Sequence, residues 1–452
     1  MEFIHTVAVF LFVLLILVSI HEWGHFIVAR KCGVKVQRFS VGFGKPFWRI
    51  YDKHGTEFAI APIPLGGYVK MLDESDENIP AEDKNKTFES RNTWQQIAIL
   101  AAGPLANFIL AALLFWWLAV QEATLPSPVI GEVKPGSPAA FAGLESGQHI
   151  LAVDGVATAG RRDVFERLTY RLGETGSIIF TVRYPDTSDL TYDMEVVIQD
   201  WMKNTEAPDP LEGIGLTFFW PHIPAVIDSV LPDSAAEAAG FKAGDEVVTL
   251  DGREVDGWRD WSEYVRERPN QRLQVSVMRD GALRDLTLTP ALVKVDGFGE
   301  VGQAGVSVKP VDWPEDMLVT RKLSVGAAFN QALDDTWSNS VMVLVSIKKL
   351  LLGQISIKNL SGPIGIAKVA GDSARAGLQY YLHFMAVLSV YLGVFNLLPI
   401  PILDGGRIVY CLAEGVKGTP LSDRTKLLGM QVGLMFIGVL MVMAFYNDIL
   451  RL

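Results

Sequence analysis

Cysteine is almost missing from this chain: Cys32 and Cys411 are the only two among 452 residues, and neither has a C-x-x-C partner. No disulfide framework is expected, and both read as ordinary thiols. Basic charge is also short, with 40 Lys and Arg against 51 Asp and Glu, a net charge of -11. No compact Lys/Arg stripe appears, which argues against nucleic acid as the main partner. Charge is absent altogether between Val7 and Ile20. The hydrophobic fraction, 49%, is only at the high end for soluble chains, so apolar residues must be gathered into runs. Length suggests two to four domains.

Four runs are long enough, or nearly so, to cross about 30 Å of hydrocarbon: 6–29 (within a first segment 1–30), 97–120, 378–402 (read as continuing to Asp404) and 427–446. The first has no basic n-region or small-residue cleavage site, so it is expected to stay as a mature span rather than a signal peptide. Between spans 1 and 2, Arg30, Lys31, Lys35, Arg38, Lys45 and Arg49 crowd the span end, whereas the first five residues carry no Lys or Arg. The positive-inside rule makes the loop 31–96 cytoplasmic and places both termini and the segment 121–377 outside. Ser338 to Leu352 is apolar but short and holds Lys348 and Lys349, so the linker 321–377 is expected to carry an interfacial helix outside the membrane rather than a fifth span.

Span 1 ends on His21-Glu22-Trp23-Gly24-His25, an H-E-x-x-H pattern. In a helix the two histidines share a face, where both imidazoles can bind one Zn²⁺ while Glu22 reaches its water. Ionisable groups inside a span cost roughly 2.5–3.5 kcal/mol each on insertion scales, which makes them functional candidates. At about 1.5 Å rise per residue from Thr6, the two histidines lie ~25 Å from the outer edge of the hydrocarbon, toward the cytoplasm. Span 3 runs the same way and ends in Asn396-Leu397-Leu398-Pro399-Ile400-Pro401-Ile402-Leu403-Asp404-Gly405-Gly406. Its prolines should break the helix, leaving Asp404 either as a third ligand at the level of the histidines or as the start of a cytoplasmic turn. His5, His54, His149, His222 and His383 lack ligand spacing and are assigned no chemistry.

The outside segment repeats itself. Ser137, Gly143, Gly147, Asp154 and Gly155 recur as Ser234, Gly240, Gly244, Asp251 and Gly252, each 97 positions on (234 − 137). That period suits a duplicated small α+β domain, placed at 126–220 and 221–310. The repeat resembles a tandem pair of PDZ domains, which capture extended peptides at a sheet edge. Gly213 and Gly215, in Glu212-Gly213-Ile214-Gly215-Leu216, are similar to a carboxylate-receiving loop of such modules, or else form a plain interdomain turn.

With H-E-W-G-H in span 1, N-L-L-P-I-P-I-L-D-G-G in span 3, Gly103-Pro104-Leu105-Ala106-Asn107 in span 2 and Ser361-Gly362-Pro363-Ile364-Gly365 before span 3, the whole chain resembles the site-2 protease family of intramembrane metalloproteases. The expected fold is a polytopic α-helical membrane protein with four transmembrane helices and two PDZ-like domains between helices 2 and 3. The resemblance implies that His21, His25 and Asp404 hold one Zn²⁺ and that Glu22 is the general base. It also implies a membrane-associated β-hairpin at about 57–71 with Gly66-Gly67 as its turn, pairing with an unwound substrate; a hairpin without substrate contact is the alternative. Asn396 either bonds substrate backbone or caps a helix end, and Asn107 is a weaker candidate for polar support. The implied substrate is a single-span anti-sigma factor, trimmed beforehand by an upstream site-1 type protease in a bacterial inner membrane; signal-peptide remnants form a second class. The PDZ pair would bind the trimmed terminus or exclude bulky substrates. A metal-ion transporter and a catalytically silent PDZ scaffold are the competing readings, disfavoured by the intact Glu22.

Overall fold

The computed structural model describes residues 2–74, 79–184, 190–295, 299–309, 311 and 313–451. Helix α1 (Glu2–Lys31) follows the apolar run and closes on Arg30 and Lys31, cations suited to the negative end of a helix dipole. After it, β1 (Val36–Phe43), β2 (Trp48–Tyr51), β3 (Glu57–Ile60) and β4 (Ile63–Met71) form one sheet in the order β2-β3-β1-β4. Helix α2 (Thr93–Val120) begins at a reciprocal cap between Asn92 and Gln95.

The expected hairpin at 57–71 is not formed. Strands β3 and β4 do not pair with each other: β3 runs parallel to β1 and β4 antiparallel to it, so β1 lies between them. Gly66 and Gly67 are inside β4, with Gly67 opposite Val41, and are no turn. Two short strands separated by a Pro-containing link look like a hairpin in sequence, but the earlier strand β1 offers both of its edges.

Two units of one design follow, leaving α2 by way of β5 (Ala123–Pro126). The first comprises β6 (Ile130–Val133), α3 (Pro138–Phe141), β7 (His149–Val153), β8 (Val156–Ala157), α4 (Arg161–Thr169), β9 (Gly176–Arg183), β10 (Tyr192–Ile198), α5 (Pro210–Ile214) and β11 (Leu216–Phe218). The second comprises β12 (Ile227–Val230), α6 (Ala235–Ala238), β13 (Glu246–Leu250), β14 (Arg253–Glu254), α7 (Trp258–Arg266), β15 (Leu273–Arg279), β16 (Ala282–Leu288), the hairpin β17 (Ala291–Val295) and β18 (Gly299–Gln303), and β19 (Val306–Val308). Their sheets, β10-β9-β7-β8 and β16-β15-β13-β14, have the same order, and each unit is closed by a ribbon of its last strand on its first, β11 on β6 and β19 on β12. Each buries its own apolar core, around Phe180 in one and Trp261 in the other. The chain then returns through β20 (Leu318–Arg321), which pairs with β5.

Helix α8 (Val325–Leu351) is longer than the interfacial helix expected at 338–352, and it packs against α2 and, later in the chain, α10. Small and branched residues on one stripe, Ala328, Ala332 and Val343, are buried and let it approach them. Its Lys349 is turned away from solvent into the first unit, donating to the carbonyls of Tyr170 and Leu172 and to the Glu174 carboxylate at 2.5–2.7 Å. Helices α9 (Pro363–Ala376), α10 (Leu378–Leu397), α11 (Asp404–Lys417) and α12 (Asp423–Leu450) complete the chain. The third span therefore stops at Leu397 rather than running to 404: Pro399 and Pro401 supply no backbone donors, and the chain turns before restarting as α11.

Among the described residues, α1, α2, α10 and α12 are the four helices long and apolar enough to cross a membrane. Contacts fix their directions. His25 and His21 of α1 meet Ile99 and Asn107 of α2 in reverse order, so these two are antiparallel. Tyr381 of α10 donates to the Val9 carbonyl and Asp404 meets His21, so α10 runs parallel to α1. Close approach depends on glycine: a Cβ on Gly24 would lie 2.2 Å from the Ala102 carbonyl oxygen.

Candidate active site

Helix periodicity splits the end of α1 into two working faces. Phe26 packs on Phe39 and Phe58, fastening α1 to strands β1 and β3. Glu22, one turn earlier, faces the same sheet, its Cγ 3.5 Å from where a Gly67 side chain would begin. Because the sheet order ends at β4, the edge of that strand nearest Glu22 carries no further strand among the described residues.

His21 and His25 occupy the other face, against α2, and are 7% and 6% exposed. Their Nε2 atoms are 3.2 Å apart, and Asp404 Oδ2 lies 3.1 Å from the first and 3.4 Å from the second. Among the described residues these three form the cluster able to hold a metal ion. Asp404 reaches it as the first residue of α11, directly after the break. Gly405 and Gly406 permit the tight return, since a Cβ on either would lie 2.2 Å from the carbonyl oxygens of Leu397 and Ile400 respectively.

Helix α2 supplies what surrounds the histidines. His25 Nδ1 donates to the Ile99 carbonyl at 2.8 Å, which leaves its Nε2 as a lone-pair donor. Pro104 lacks the N–H that would tie down the Leu100 carbonyl, loosening the ladder beside Ile99. Gly103 leaves the space the imidazoles fill: its Cβ would be 2.3 Å from His25 Nε2 and 2.8 Å from His21 Nε2. The Asn107 amide stands 3.1 Å from His21 Nδ1. Two imidazole nitrogens and a carboxylate oxygen converging on one point fit the donor set of a zinc ion with an open position, and the Gly103 cradle keeps that point clear of carbon.

The other sequence candidates fall elsewhere. Asn396 donates one of its two amide N–H groups to the Leu392 carbonyl, 2.9 Å away and one turn back in its own helix. Gly213 and Gly215 belong to the first unit, away from the histidine cluster. The Gly213 carbonyl accepts from the Trp201 indole, and Gly215 takes a left-handed φ of +82° and accepts from the Lys134 amide. They are not an interdomain turn, because the strand after them, β11, closes the first unit on β6. The sequence reading missed the Ile99 carbonyl and the room made by Gly103; Gly103-Pro104 inside an apolar helix was the available signal.

A sheet beside a histidine-bearing helix, with a broken helix delivering an aspartate at the same depth, defines an intramembrane metalloprotease. The chain belongs to peptidase family M50, the site-2 proteases, whose profile matches residues 9–440, and it is a zinc metalloprotease. Among individual proteins it is similar to the regulator of sigma-E protease RseP of Salmonella typhimurium, 40% identical over 445 residues and 98% of each chain. The RseP protein of Escherichia coli K12 is 38% identical over the full length of both chains. A putative zinc metalloprotease of Vibrio cholerae is 37% identical over 443 residues, 98% of each.

Proposed function

We propose that this protein is an intramembrane zinc endopeptidase that cuts single-span membrane proteins, with His21, His25 and Asp404 holding one Zn²⁺ and Glu22 as general base. The observation that carries this is the meeting of the three donor atoms within 3.1–3.4 Å, from residues up to 383 positions apart. The chemistry zinc supplies in such a site is Lewis acidity toward a carbonyl and a water of pKa near ~7. Glu22 takes the proton of the attacking water and returns it to the departing amine. Its place between the histidines and β4 puts that proton transfer beside the unpaired strand edge.

A helical substrate shields its carbonyls and must unwind before attack. The β4 edge, including Gly66 and Gly67, holds the unwound strand by backbone pairing. Gly67 keeps this edge low next to Glu22. Asn396 spends one amide N–H on the Leu392 carbonyl, and its second N–H and its Oδ1 are the groups that would bond the substrate backbone.

The two units, assigned to 126–220 and 221–310, are PDZ domains outside the membrane; their shared sheet order and the closing strands after Gly215 and Gly305 support this. Lys349 fixes the first unit to α8, and α8 packs on α2 and α10. Such fixed placement favours a size filter over a mobile tether. The Lys and Arg distribution supports an inner membrane orientation with both termini periplasmic and the site toward the cytoplasm. The relatives' printed names, regulator of sigma-E protease, support a role in sigma-E control; the substrate class that goes with this reading is a single-span anti-sigma factor trimmed first by a site-1 type protease, with signal-peptide remnants as the second class.

Metal analysis of detergent-purified protein tests the reading. One zinc per chain is expected for the wild type and little for His21→Ala and Asp404→Ala, and full zinc in both variants overturns it.

A further inference from the structure

Asn107 is completely buried, and one end of its amide has a partner while the other has none. Its Nδ2 stands 3.1 Å from His21 Nδ1, and its Oδ1 contacts no donor among the described residues. A buried carbonyl oxygen left unpaired costs about 1–3 kcal/mol, so its retention calls for a reason. The neighbouring imidazole provides one.

The proton on His21 has two possible homes. With Asn107 Nδ2–H donating to Nδ1, the ring proton is on Nε2, where it donates to Asp404 Oδ2 at 3.1 Å. That pattern is consistent within itself, but it occupies the nitrogen a metal needs. For Nε2 to offer a lone pair, Nδ1 must carry the proton and donate it to an acceptor. The one polar group on Nδ1 is the Asn107 amide, and its spare Oδ1 is that acceptor after a half-turn about the last side-chain bond. His25 needs no such arrangement, because its Nδ1–H already donates to the Ile99 carbonyl.

We propose that Asn107 is a positioning residue that selects the tautomer of His21, its amide turning to accept the Nδ1 proton when the cluster takes up zinc. Ser389 of α10 supports it: its hydroxyl, also fully buried, donates to the Asn107 backbone carbonyl at 2.9 Å and pins this turn of α2 against the third span. The amide thus sits between two spans with only its side chain able to turn. This inference rests on the assignment of His21 as a zinc ligand and adds what prepares it.

The test compares wild type, Asn107→Asp and Asn107→Leu, purified whole in detergent. Zinc affinity is measured by chelator competition, the His21 tautomer by nitrogen-15 NMR of histidine-labelled protein, and folding by melting of the metal-free form. Loss of an outer partner of a ligating histidine typically weakens metal binding 10–100-fold. That loss is expected for Asn107→Leu, with a mixture of His21 tautomers in the zinc-loaded protein. Asn107→Asp keeps an acceptor and should hold zinc within a few-fold of wild type with Nδ1 protonated, whatever its metal-free melting temperature. Unchanged affinity in Asn107→Leu, or equal losses in both variants that track their melting temperatures, overturns the proposal and assigns Asn107 to packing. Failure of the wild type itself to bind zinc overturns instead the ligand assignment beneath it.

Discussion

Gly103 on α2 faces His25 on α1 so closely that a single added carbon would stand 2.3 Å from the imidazole Nε2. No rotamer change of a methyl group relieves that overlap, because alanine has none. Gly103→Ala is therefore expected to push both histidines off their meeting point, with a packing cost of about 1–3 kcal/mol and loss of most bound zinc. Gly438→Ala on α12, where nothing lies within 4 Å, is the matched control and should retain zinc and stability. Metal content and thermal melting of the two variants check this.

The edge of β4 gives a second expectation. Proline at position 69 removes the β4 N–H that faces Glu22 and leaves His21, His25 and Asp404 unaltered. Val69→Pro should lower kcat/KM by up to about tenfold, the worth of one backbone hydrogen bond, while zinc content is unchanged. Wild-type kinetics in this variant would show that substrate is held elsewhere.

Asp448 near the end of α12 is buried and accepts from three backbone amides, Gly362 at 2.9 Å, Ile364 at 2.9 Å and Gly365 at 3.0 Å. This carboxylate caps the positive end of α9 and joins the fourth span to it. Asp448→Ala strands those donors and should cost about 2–3 kcal/mol. Faster proteolysis between 353 and 362 and a lower melting temperature are the readouts.

In the second unit Asp245 is fully buried and pairs with Arg279 at 2.6 and 2.7 Å. Burial pushes the carboxyl up, but Arg279 and the Lys242 amide outweigh it and hold the group below the usual carboxylate range. A depressed carboxylate contributes stability that is complete above its unfolded value and lost as pH falls through the folded one. Protection of the β13 and β15 amides, taken relative to their intrinsic exchange rate at each pH, should therefore fall only below about pH 4, the ordinary Asp range. Asp245→Asn should make exchange fast already at pH 7 and remove that acid dependence.

Much of this was legible because the relevant patterns are local. The four spanning helices follow from apolar length, and His21, Glu22 and His25 from spacing on one helix turn. Asp404 was legible only jointly, from depth and the direction of span 3. What escaped was non-local. The order β2-β3-β1-β4 depends on a parallel pairing of β1 with β3 that no turn signal encodes, so 57–71 looked like a hairpin closed by Gly66-Gly67. The closing strand of each unit escaped because Gly215 and Gly305 are 90 positions apart (305 − 215) and not 97, the chains between differing in their inserted elements. Helix α8 looked shorter than it is because its first turns are polar on one side and packed through alanines on the other.

The most direct measurement is cleavage of a trimmed single-span substrate by wild type and Glu22→Gln, each with and without a zinc chelator, alongside zinc content. Cleavage by wild type alone, abolished by chelator, with zinc retained in Glu22→Gln, is the predicted result. Equal cleavage by both proteins would contradict the assignment of Glu22 as the base and with it the mechanism.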